Sequence, residues 1–175
     1  MKQAVICIVH TEEQADRIVE ALRAAQFNAD DVSMLLPNKN MSRDLGHETH
    51  SKGPEGVTTG VSVGAVLGGA LGWLAGIGAL AVPGLGPFIA AGPIMALLSG
   101  AAVGGSVGGV VGALVGLGLP EYEAKQYEGK LRDGNILLSV HTEDSQSAKR
   151  VEDIFKDNGA TDIKKTGEQK VKTQR

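Results

Sequence analysis

The chain has 175 residues, 17 basic and 20 acidic side chains and a net charge of −3, room for one domain with an appended element. No basic surplus marks it as a nucleic-acid binder, and a single cysteine, Cys7, excludes an internal disulfide framework or a thiolate metal cluster. The charge is unevenly placed: residues 1–55 hold six basic and nine acidic side chains and residues 121–175 eleven of each, while the 65 positions between Glu55 and Glu121 hold no Asp, Glu, Lys, Arg or His.

The opening "MKQAVICIVHTEE" has an apolar run too short for a signal peptide, with acids directly after it, so the charged parts are expected in a reducing cytoplasm. Val5 to Val9 reads as a strand with Cys7 packed inside it. Thr11 follows as a helix N-cap, with Gln14 completing a capping box. Ala15, Ile18, Val19 and Leu22 then fall on one helical face. Val32 to Leu36 resumes a strand, stopped by Pro37. Residues 1–37 thus form a first βαβ half, followed by a polar linker over 38–56. In that linker "GHETH" sets His47 and His50 three apart, a weak candidate metal pair whose ordinary reading is a solvated loop.

Residues 57–119 are the uncharged insert. Gly60, Gly64, Gly68, Gly72 and Gly76 recur every fourth residue, and so do Gly100, Gly104, Gly108, Gly112 and Gly116, mirror-placed about residue 88. Folding the chain at "PGLGP", residues 83–87, lets every glycine of one ladder face one of the other. That geometry suits crossed helices packed through small residues. A strand also puts every fourth residue on one face, but each segment is longer than the usual strand. Glycine costs about 1 kcal/mol relative to alanine inside a helix. Ten of them therefore require either a bilayer or a sealed protein core to enforce the helix. As helices, 60–82 and 93–118 would span about 34 and about 39 Å against roughly 30 Å of hydrocarbon. Lys39, Arg43 and Lys52 before the hairpin, and Lys125, Lys130 and Arg132 after it, fit cytoplasmic ends. Trp73, mid-helix rather than at an interface, speaks against a stable double span. A soluble homo-oligomer burying its hairpins together is the alternative.

Residues 120–166 supply a helix and a second βαβ half. Ile136 to Val140 is its strand, Ala148, Val151, Ile154 and Phe155 its helix face, Gly159 the helix stop and Ile163 the start of a last strand. Residues 167–175 form a basic tail read as disordered. "VHTE" recurs at Val9–Glu12 and Val140–Glu143, an internal repeat. Two such halves predict an α+β fold: a ferredoxin-like βαβ-βαβ sheet with both helices on one face and an antiparallel glycine-zipper helical hairpin inserted between the halves. His10 and His141 hold equivalent repeat positions, where they would stand side by side near two helix N-termini. That place suits an anion or small ligand, although polar residues that merely close a sheet are commoner there.

No phosphate loop, HExxH, GxSxG or CxxC is present. "GIGALA" at Gly76–Ala81 lacks the preceding strand of a dinucleotide site. No cofactor is implied, and no acid–base constellation points to an enzyme. With the repeat and the ladders in view, "VHTEEQADRIVEALRAAQFNADDVSML", the glycine-rich insert and "YEGKLRDGNILLSVHTED" make the chain resemble the bacterial general stress protein 17M-like, or low-temperature-induced, family. The resemblance implies induction under stress and transfers no catalytic residue. The expected function is a non-enzymatic stress-associated protein that meets the lipid bilayer and self-assembles into homo-oligomers through its hairpin. The alternatives are a soluble assembly and a ligand- or metal-sensing module using His10 and His141.

Overall fold

Val5, Cys7 and Val9 point to one side of their strand, Ile6 and Ile8 to the other, and all five are buried. A strand apolar on both faces must be covered on both, and that requirement organises the molecule. The computed structural model describes residues 3–37, 73–74, 78–82, 85–101 and 109–167. Its elements in chain order are β1 (Gln3–Val9), α1 (Glu12–Ala24), a 3-10 turn (Ala29–Asp31), β2 (Val32–Pro37), β3 (Gly78–Val82), β4 (Gly86–Ala91), α2 (Pro93–Ala101), α3 (Gly109–Gly116), α4 (Glu121–Arg132), β5 (Ile136–Thr142), α5 (Ser145–Asp157) and β6 (Thr161–Gly167). The strands form one sheet in the order β3-β4-β2-β5-β1-β6, antiparallel at every pairing. The first strands of the two halves, β1 and β5, are neighbours, with Val9 opposite Ile136 and Ala4 opposite His141. The chain is therefore α+β around an antiparallel sheet.

One face of the sheet is closed by α1 and α5, whose Ile18, Leu22, Val151 and Phe155 meet Val5, Cys7, Met34 and Leu138. Trp73 and Leu74 pack on this same core. Both helices are capped by side chains: Thr11 accepts from Gln14 N at 3.1 Å and Asp144 from Ser147 N at 2.7 Å. The expected return bond of Gln14 goes to His10 N at 3.0 Å rather than to the cap residue, while its amide donates to Asn158 O at 2.8 Å. Gly159, at φ +74°, ends α5 as expected.

The opposite face is closed by the apolar insert and α4. Ile94 and Leu98 of α2, Val110 and Leu114 of α3, and Tyr127 and Leu131 of α4 lie over Ile6, Ile8, Leu35 and Leu137. This corrects the reading of the insert. Where a helix was expected to run to residue 82, Gly78–Val82 is a strand. Where the helical hairpin was expected to turn, Gly86–Ala91 is another, pairing with β2 from Met34 opposite Ala91 to Pro37 opposite Phe88. β3 and β4 pair antiparallel, Val82 opposite Gly86, because the open edge of β2 offers those backbones a ladder. The expected helix over 93–118 is replaced by α2 and α3, of nine and eight residues.

Among the described residues no helix is long and apolar enough to cross a membrane, which overturns the transmembrane hairpin. The described part of the glycine ladders gives no evidence of a zipper. Gly100 lies in α2 and Gly112 and Gly116 in α3, but a Cβ on Gly116 would meet Leu97 Cδ2 at 3.5 Å, an ordinary contact rather than a forbidden one. Gly60, Gly64, Gly68, Gly72, Gly76, Gly104 and Gly108 lie outside the described residues, as do the linker 38–56 with His47 and His50, and the tail beyond Gly167.

The exposed edge strand β6 is tied down from both faces. Lys164 reaches Glu123 of α4 at 3.5 Å, Lys130 of α4 reaches Asp162 at 2.8 Å, and Tyr127 of α4 donates to the Asp162 carbonyl. On the other face Glu152 of α5 takes both Lys156 and Lys165 at 2.6 Å. Their hydrogen bonds pull its carboxyl from the ordinary 4.5 down to about 2. A depressed folded pKa means stability that is present above pH 4.5 and lost as pH falls towards 2. Glu152→Gln should therefore lower stability at neutral pH, and the gap to the parent chain should close across that window in urea unfolding. A gap that stays constant with pH would exclude the linkage.

Candidate functional site

The sheet's two ends differ. At the end where β1 and β2 finish and β5 begins, a cleft of about 390 Å³ is lined by His10, Thr11, Glu12, Glu13, Leu36, Pro37, Gly134 and Ile136. The topology explains the gathering: β1 and β2 run the same way with β5 antiparallel between them, so two strand exits, one strand entry and the start of α1 share one rim. Leu36 and Ile136 are apolar floor; Thr11 and the two carboxylates are polar wall.

His10 is exposed, yet its ring is held at both nitrogens. Asn135 donates its amide nitrogen to Lys130 O at 2.9 Å, which turns its Oδ1 towards His10 Nδ1 at 2.8 Å. An amide oxygen only accepts, so Nδ1 carries the hydrogen and, in the neutral ring, Nε2 is left as the acceptor. Nε2 lies 3.2 Å from Thr161 Oγ1, whose other neighbour is Ile8 O at 3.4 Å. The tautomer thus follows from the carbonyl that ends α4.

The expected His10–His141 pair is not formed. His141 sits in β5 opposite Ala4, six residues back from His10, about 20 Å at 3.4 Å per residue. Neighbouring antiparallel strands have their C-terminal ends at opposite edges of a sheet, so equivalent positions in the two halves are driven apart. The helix starts separate with them: only α1 begins at the cleft. The repeat is also offset, since His10 follows β1 whereas His141 and Thr142 remain inside β5. His141 Nδ1 is buried with no hydrogen-bond partner, as is Ser139 Oγ two residues before it. Among the described residues no group of three or more His, Cys, Asp and Glu could hold a metal ion. Cys7 is fully buried, and burial pushes its thiol far above the reactive range.

No protein-family model, curated protein or solved structure matches this chain. The resemblance to the stress-protein family is therefore not carried further, and function rests on the cleft alone.

Sequence reasoning selects His10 and Thr11 but misses Pro37, Gly134, Asn135 and Thr161. The signal for Asn135 is present: pairing "AVICIV" antiparallel to "ILLSV" sets the residue before Ile136 beside the residue after Val9. Thr161 follows from the same logic on the other side of β1, where it ladders with Ile8.

Proposed function

We propose that this protein is a small-ligand-binding module on a ferredoxin-like arrangement, with the His10 cleft as its site. The strand order β6-β1-β5-β2, with α1 and α5 together on one face, supports the ferredoxin-like assignment. The observation that carries the functional reading is the cleft itself. Its volume lies in the range of small-molecule sites, and it combines an apolar floor with a few convergent polar groups at the end of a sheet. Both His10 nitrogens are engaged by Asn135 and Thr161, so the imidazole serves as a fixed wall rather than a proton carrier. The reading is recognition without chemistry.

Titrating the full chain with a mixture of neutral, cationic and anionic fragments, followed by backbone amide NMR, tests this. Shifts should concentrate at Thr11, Gly134 and Ile136. Shifts confined to other surfaces, or none at millimolar concentration, would refute it.

A further inference from the structure

The charge of the cleft selects among ligands. Glu12 and Glu13 both line it, no Lys or Arg among the described residues does, and neither glutamate forms an ion pair with a described residue. In the second half Glu121, Glu123, Glu128, Glu152 and Asp162 each hold a cation. One turn along α1 from Glu12, Asp16 Oδ1 is buried with no hydrogen-bond partner. This end of α1 therefore carries three carboxylates with no cation partner among the described residues.

The start of α1 would by itself favour an anion, but its dipole supplies only about +0.5 charge. Two lining carboxylates outweigh it, so the cleft stays negative. His10 offers a ligand no free donor: Nδ1–H is already given to Asn135 and Nε2 faces Thr161 Oγ1. An anion would find no free donor on the imidazole and two repelling carboxylates. A cation would find two acceptors above Leu36, Pro37 and Ile136, which can take an apolar chain.

Resting on the ligand-binding reading above, we infer that the cleft takes a protonated amine with a short apolar tail: ammonium against Glu12 and Glu13, tail on the floor. The site is specific for charge sign as well as for shape.

Three probes of matched shape separate the terms: isoamylamine, isoamyl alcohol and isovalerate, each titrated into the full chain by amide NMR. Isoamylamine is expected to shift Thr11, Gly134 and Ile136 and to bind more tightly than the other two. The Glu12→Gln/Glu13→Gln variant should weaken it by about tenfold, as loss of charge-assisted bonds does, while the alcohol is unaffected. Added salt should weaken the amine alone, a readout that needs no variant. Alcohol or isovalerate binding at the cleft as tightly as the amine overturns the charge assignment and leaves the ligand-binding reading standing. No shift at the cleft with any probe or with the broader fragment mixture overturns both.

Discussion

Replacing Gly92 with alanine is expected to destabilise the protein by about 4 kcal/mol, a large fraction of a typical domain's stability. Two costs combine there. Gly92 has φ +78°, a left-handed conformation that charges an L side chain about 1–2 kcal/mol. An added Cβ would also lie 2.0 Å from Val32 O and 2.9 Å from Ser33 Cα, backbone atoms in the sheet that cannot swing aside. Relief requires moving the β4–α2 corner away from β2, and forced overpacking of that kind costs roughly 1–3 kcal/mol more. The corner also carries Ile94 N–H to the buried Ser33 hydroxyl at 3.2 Å, a bond that the same movement would stretch.

Gly86 supplies the control. Its φ is +92°, but nothing lies within 4 Å of the Cβ it would gain. Gly86→Ala should therefore cost only the conformational part, about 1–2 kcal/mol. Urea unfolding of the two variants separates strain from collision, and equal losses would show that the approach of Gly92 to β2 carries no energetic weight.

The sheet core and its first helical layer are legible from sequence because they rest on local signals. Thr11, the 15/18/19/22 spacing and Gly159 each state a cap, a face or a stop within a few residues. The second layer is legible only indirectly. "VICIV" and "ILLSV" are apolar without alternation, and a strand of that kind is closed on both faces. Two predicted helices can close only one, so the sheet demands a second apolar cover, and residues 57–119 are the uncharged stretch the chain has to offer. Reading that stretch by its own length and lack of charge, apart from the strands that need it, leads to a membrane. The cleft is half legible for a related reason. His10 and Thr11 announce themselves, whereas Gly134, Asn135 and Thr161 join them only once the antiparallel register is fixed. The same register places His141 at the far end of the sheet.

Leu114→Ala distinguishes the two ways of reading the insert. Leu114 is fully buried in α3, in the core that holds Ile6, Ile8 and Leu137. Truncating it should remove about 2–5 kcal/mol from the unfolding of the whole domain, the sum of lost transfer energy and the cavity left behind. The neighbouring Val115 is 41% exposed, so Val115→Ala should cost less than about 1 kcal/mol, although the two residues share a helix and the same uncharged surroundings. An appended hairpin, covered by lipid or by other subunits, would give a different result: Leu114→Ala would leave urea unfolding of the sheet where it was. The test is sharpest with amide signals from β1 and β5. If α3 is one wall of the domain, protection at Ile6 and Leu137 falls in step with global stability when Leu114 is cut back. The asymmetry between residues 114 and 115 then reports which side of α3 faces the sheet.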